Sequence, residues 1–203
     1  MRADSPFRRP DGRERKSLGT RRRIYQAALE EFRRVGFDAA SISRITRRAG
    51  VSRPSFYFHF PTKQHVLLEL QWVLEHEVVE RITDVAAPGQ ALHAFVDEFV
   101  EIEDRVGRGD LFRDLLQTWV RPPESVAADE HFMPVVEEVG RRFEQARGAG
   151  ALRADLEPAR ATILFLTGVY GFLIANAGDE RENLHALVDL YLTPGSSSDP
   201  SRA

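Results

Sequence analysis

Along most of the chain, apolar residues recur at three- and four-residue spacing, and no segment sustains the two-residue alternation of a half-buried strand. Ile24, Ala27, Ala28, Phe32 and Val35 share one face of a first helix, which Gly36 ends before Phe37 returns the chain to a core. Ile42, Ile45 and Ala49 mark a second, short helix. Ser41 stands at its N-cap position, and Gly50 follows as a residue that accepts positive φ at little cost. Val51 and Ser52 make a turn, and a third segment runs from Arg53 to about His59. Val66, Leu67, Leu70, Val73, Leu74 and Val78 then predict a long helix from Lys63 to about Val85, closed by Pro88–Gly89. At 1.5 Å per residue it is roughly 33 Å long. Further helices are predicted near 89–107, 109–121, 125–148, 157–178 and 181–193, with Pro134 placed to kink or split the third of these. The expectation is an all-α protein of about nine helices. It comprises an Arg-rich arm (1–19), a three-helix domain (20–66), a helical bundle (67–193) and a flexible tail (194–203).

Two helices joined by a short Gly-containing turn form the pattern of a helix-turn-helix, and the side chains at the turn sharpen it. Phe56 and Phe60, four apart, can enter the small core and leave Tyr57 on another face. Ser52, Ser55, Tyr57, His59 and Lys63 carry hydroxyl, imidazole and ammonium groups suited to phosphate oxygens. Arg53, early in the third helix, is placed to reach a base edge, and Arg44 on the second helix joins the candidate DNA-binding set.

The stretch from Thr20 to about Leu70, and above all GVSRPSFYFHFPTK, resembles the TetR family of bacterial transcriptional regulators. The resemblance implies a helix-turn-helix reader followed by an all-helical domain for ligand binding and dimerisation. On matching positions it implies phosphate contacts from Ser41 and Tyr57, base-facing Ser43, Arg53, Pro54 and Ser55, and a Lys63 that anchors the start of the fourth helix. Two positions depart from the family pattern. Ala40 stands where a hydroxyl residue is frequent. His65 stands where Glu often completes the cap begun by Thr62, which would weaken that capping box.

Charge divides the chain in the same place. Residues 1–63 hold 16 Lys and Arg against 6 Asp and Glu, whereas residues 64–203 hold 12 against 25. A near-neutral total of −3 therefore conceals a basic reader joined to an acidic remainder. The first 19 residues, punctuated by Pro6, Pro10 and Gly12, have no apolar run and are expected to lack order without a partner. They read equally as a DNA-tracking arm or a solvated tail. If Thr20 caps the first helix, Arg21, Arg22 and Arg23 fall in its first turn, where cations oppose the dipole unless a phosphate lies nearby.

The acidic remainder carries most of the aromatic residues. Phe99, Trp119 and Phe165 are candidate lining residues of a largely apolar effector pocket, and Asp97, Glu101, Asp104 and Glu138 are carboxylates that could meet a cation or a solvated helix face. Residues 161–178 lack charge and just reach the length of a membrane span. Their Thr, Asn, Gly and Ala content fits a buried dimer helix better, with Gly168, Gly171 and Ala175 allowing a partner helix close. By the resemblance, the last two helices (157–178 and 181–193) form a homodimer. Leu184, Leu187, Val188, Tyr191 and Leu192 supply the final helix's apolar face.

Against catalysis, there is no cysteine nucleophile, no Gly-rich phosphate loop and no metal-type histidine spacing, so no catalytic, metal or cofactor site is assigned. The absence of cysteine also fits a reducing cytoplasm. By the resemblance, the expected function is a homodimeric repressor that a small molecule releases from a palindromic double-stranded DNA operator. The alternative is a DNA-binding regulator with no small-molecule ligand, constitutive or answering to a protein partner.

Overall fold

The structure, a computed structural model, describes residues 12–106, 110–120, 134–175 and 180–193. Among these residues it contains nine helices: α1 Gly12–Val35, α2 Ile42–Ala49, α3 Arg53–His59, α4 Gln64–Thr83, α5 Pro88–Val106, α6 Asp110–Val120, α7 Pro134–Gly148, α8 Pro158–Ala175 and α9 Glu180–Asp189. The only extended pairing among them is an isolated antiparallel bridge, Leu152 to Leu192. The chain divides into two compact units, Met1–Leu68 and Glu69–Ala203, and α4 contributes residues to both.

In the first unit Ile24, Ala28, Phe32, Ile45, Phe56 and Phe60 are buried together, the apolar periodicity of α1 to α3 converging on one small core. Gly36 and Gly50 end α1 and α2 at φ 77° and 64°. After Gly50 the Val51 N–H reaches back to the Thr46 carbonyl at 3.0 Å, the six-to-one bond that closes a left-handed helix end.

α1 begins earlier than its apolar pattern suggests. Gly12 to Gly19, assigned above to an unordered arm, are helical. Arg, Glu and Lys are good helix formers, and the breakers Pro10 and Gly12 stand before or at the start. Thr20 is thus an interior residue whose hydroxyl donates back to the Lys16 carbonyl at 3.0 Å, so Arg21 to Arg23 do not occupy a first turn. The rest of the arm, residues 1–11, lies outside the described residues, as do 121–133 and the tail from 194.

In the second unit Pro134 starts α7 rather than kinking it, consistent with the tolerance of a first turn for a missing N–H. Arg142 is 2% exposed. Its guanidinium pairs with Glu138 at 2.7 Å and donates to the carbonyls of Ile82, Thr83 and Val85 at 2.5, 2.8 and 2.7 Å. Glu138 is therefore a buried partner, not a solvated carboxylate, and together the pair caps the C-terminal end of α4. Asp97 and Glu101 of α5 are likewise engaged, Asp97 with Arg181 and His185 and Glu101 with Arg81. The side chain of Asp104 lies outside the described set.

α8 passes the length and hydropathy test of a membrane span, yet Ala161, Thr162, Phe165, Leu166, Val169 and Leu173 are buried inside the unit. Gly168 serves this internal packing, since a Cβ there would meet Leu187 of α9 at 2.8 Å. Gly171 has open space at the same position. Leu184, Val188 and Leu192 face the chain's own core, so the apolar side of α9 is occupied within the protomer.

Candidate nucleic-acid interface

Ser52 is the N-cap of α3, and its hydroxyl oxygen accepts the Ser55 N–H at 3.3 Å. Pro54 follows in the first turn, where its fixed φ suits a helix start. With Phe56 and Phe60 locked in the core, Arg53, Pro54, Tyr57 and Phe58 are exposed on the outer side of this short helix. Tyr57 stands edge-on to Phe56 at 5.6 Å and remains 43% exposed.

α2 supplies the second wall. Ser41 adopts extended N-cap geometry and its carbonyl accepts from Arg44 and Ile45, but its hydroxyl makes no capping bond. Ser43 Oγ lies 3.5 Å from an Arg53 guanidinium nitrogen. Ser41, Ser43, Arg53, Tyr57 and Lys63 together line a surface cleft of about 520 Å³ at the junction of α2 and α3.

Two basic candidates are engaged within the protein. Arg44 pairs closely with the buried carboxylate of Glu31 and donates to the Ala39 carbonyl at 2.9 Å. Burial alone would raise the Glu31 carboxyl. Arg34, Arg44 and the Ser41 backbone N–H outweigh it and hold the group down at about 2. Lys63 donates to the carbonyls of Phe37, Asp38 and Ala40 at 2.6, 2.8 and 3.5 Å, with its ammonium 4.6 Å from the Phe37 ring centroid. An ammonium has three donors, and three carbonyls take them. Lys63 thus clamps the α1–α2 connection, and its ammonium is engaged within the protein in this geometry.

The C-terminal end of α3 is held by Arg21, which donates to the His59 carbonyl at 2.5 Å and lies 4.2 Å over the Phe60 ring. Partial burial, and then the Arg21 charge, lower the His59 pKa and favour its neutral ring. Thr62 Oγ1 and His65 Nδ1 are 2.9 Å apart, so His65 answers Thr62 through its side chain although the usual Glu is missing.

Sequence reasoning overlooked Phe58, which is 80% exposed. The signal was available, because a residue two positions from both Phe56 and Phe60 cannot share their helix face. It also overlooked the Arg44–Glu31 brace, whose partners are thirteen residues apart and meet only through the fold.

The candidate effector residues belong to the second unit. Phe99 and Phe165 are fully buried, and each lies against Phe95, with ring centroids 4.6 and 5.8 Å from it; Phe165 also meets Phe143 edge-on at 5.7 Å. The side chain of Trp119 lies outside the described set. Among the described residues no group of three or more His, Cys, Asp or Glu is placed to hold a metal ion.

Comparison with known proteins agrees with this geometry. The family described as "Bacterial regulatory proteins, tetR family" matches residues 24–70, the stretch that builds α1 to α3 and the start of α4. The HTH-type transcriptional regulator UidR of Escherichia coli is 26% identical over 197 residues, covering 90% of this chain and 98% of UidR. Among solved structures, SmeT, the repressor of the Stenotrophomonas maltophilia multidrug efflux pump SmeDEF, superposes with a TM-score of 0.65 at 21% identity, covering 90% of this chain and 98% of its own. Thermus thermophilus FadR, a TetR-family repressor in complex with lauroyl-CoA, superposes with a TM-score of 0.63 at 23% identity, covering 84% and 90%. At these identities the two structures establish a shared fold. Residues 24–70 thus carry the helix-turn-helix of the tetR family of bacterial regulatory proteins, and along its length the chain is similar to a DNA-binding transcriptional regulator of the helix-turn-helix type.

Proposed function

We propose that this regulator is a homodimeric repressor whose two α3 helices read successive major grooves of a pseudo-palindromic operator, and that a small molecule bound in the second unit releases it. The observation that carries the DNA side is the cleft where Ser41, Ser43, Arg53 and Tyr57 converge with uncommitted or weakly committed polar groups. Within it Arg53, Ser43, Pro54 and Ser55 are the base-facing group, with arginine suited to the paired acceptors of guanine. Ser41, Tyr57, His59 and the donor side of Ser52 are assigned to phosphates. Arg44 and Lys63 are assigned to holding the reader's shape. A sequence-reading Arg53 predicts that Arg53→Ala lowers affinity for a selected operator by roughly 10- to 100-fold, matching the worth of one good base contact. Affinity for scrambled duplex should fall much less. Equal losses on both duplexes, measured by fluorescence anisotropy at one salt concentration, contradict the assignment.

The dimer reading is supported by α8. Ile163, Leu164, Thr167, Gly171 and Ile174 form an exposed, mostly apolar stripe at helical spacing, Ile163 being 66% exposed. Such a stripe suits a second copy of the same helix.

The effector reading draws on relatives of the same fold that are described as repressors, one in complex with lauroyl-CoA. Phe99 and Phe165 are its lining residues, and α4, with residues in both units, is its lever. An effector acts only through unequal affinity for conformations with differently spaced readers. A second reading, control by a protein partner with no small molecule, is favoured by the close packing of Phe95, Phe99, Phe143 and Phe165. Operator release by a small molecule, lost on Phe99→Ala in a folded protein, decides for the sensor.

A further inference from the structure

α4 carries two buried polar side chains one turn apart in the second unit. Gln71 is 4% exposed and Glu75 is 5% exposed. Gln71 Nε2 donates to Glu75 Oε1 at 2.7 Å. That bond fixes the amide's orientation, because the opposite flip would set two oxygens against each other. The consequence falls on Gln71 Oε1. It is buried and has no hydrogen-bond partner. Buried acceptors are almost always satisfied, so an orphan beside a carboxylate asks for a donor that the protein itself does not bring.

The surroundings narrow what that donor is. Tyr170 of α8 has its hydroxyl pKa raised by burial and then by the charge of Glu75, which keeps the phenol protonated. Its ring lies 6.0 Å from Phe99, which in turn lies 4.6 Å from Phe95. A carboxylate and a bare carbonyl oxygen, in a unit whose neighbouring aromatic rings are tilted against one another, recognise an ammonium group through charge-assisted hydrogen bonds, and they disfavour an anion.

We infer that Gln71 and Glu75 form the polar end of the effector site, and that it takes an amphiphile bearing a protonated amine on an apolar body. This rests on the reading of the second unit as a ligand sensor and adds the chemical class of the ligand. An anionic acyl headgroup would meet Glu75 with the wrong sign.

The test compares decylammonium, decanol and decanoate, all below their micellar concentrations, by calorimetric titration of the full-length protein at neutral pH. The expected result is decylammonium binding at least 10-fold tighter than decanol, with decanoate weakest. Glu75→Gln keeps the shape and the Gln71 contact while removing the charge, and Gln71→Leu removes the orphan acceptor. Each should bring decylammonium close to decanol, with decanol changed far less; Glu75→Gln should melt near wild type, whereas Gln71→Leu, which takes a donor from the buried Glu75 carboxylate, should melt lower. Equal binding of the three, or an ammonium preference that survives both substitutions, overturns the inference and leaves an apolar sensor standing. Binding of none of them by operator-competent protein overturns it too, and takes away the ground for an apolar pocket as well. If Gln71→Leu does not fold, Glu75→Gln alone decides.

Discussion

Lys63 shows how a side chain's chemistry can be legible while its role is not. A lysine at the end of a recognition segment suggests a phosphate contact, yet its ammonium holds the carbonyls of Phe37, Asp38 and Ala40. Hydrogen bonds from a charged group contribute about 1.5–3 kcal/mol, so Lys63→Ala should destabilise the protein by an amount in that range. The log–log salt slope of DNA binding should not change. A slope shallower by roughly 0.9 per lost contact, with unchanged melting, would return Lys63 to the phosphate set. Glu31 makes a second prediction at this scale. Its carboxyl sits at about 2 against an ordinary 4.5. A depressed acid stabilises the fold above its unfolded pKa, and that contribution is lost as pH falls from about 4.5 towards 2. Allowing for screening by its half-exposed arginine partners, the contribution is roughly 2 kcal/mol. Glu31→Gln should therefore flatten the acid limb of a stability-against-pH curve; an acid limb equal to wild type contradicts the brace.

At the scale of elements, the helices whose apolar residues repeat were legible: α1 from Ile24 onward, α2, α4, α5 and α8 stand close to their expected places. Where no core face exists, periodicity is silent. Gly12 to Gly19 is helical but polar, so only residue propensity could have suggested it. Arg142 escaped for the opposite reason. A charged residue in a charged stretch reads as solvent-facing, and its burial depends on three carbonyls at the end of a helix some sixty residues away. The face of α9 was read correctly as apolar, but sequence alone could not decide between its own core and a partner. Arg142 also sets a prediction for α4, whose C-terminal end it caps. Arg142→Ala leaves three carbonyls uncapped and Glu138 held by Arg141 alone, a loss of about 1.5–3 kcal/mol. Chemical denaturation measures it, and a cost below about 1 kcal/mol would mean that solvent replaces the guanidinium without penalty.

For the whole molecule, the charge divides into a basic reader and an acidic remainder, and neither accounts for the proposed sequence-specific repression without a second copy. In the proposed reading, the cleft of Ser41, Ser43, Arg53 and Tyr57 is one recognition surface per chain, and the exposed α8 stripe is the means of pairing two. Selection of bound sequences from a random duplex library, read by sequencing, tests that union most directly. A sequence-specific dimer predicts an enriched inverted repeat that disappears when Ile163 and Leu164 are both changed to Ser, with the monomer still folded. Salt-sensitive binding with no enriched motif, or an inverted repeat that survives the double substitution, would contradict it.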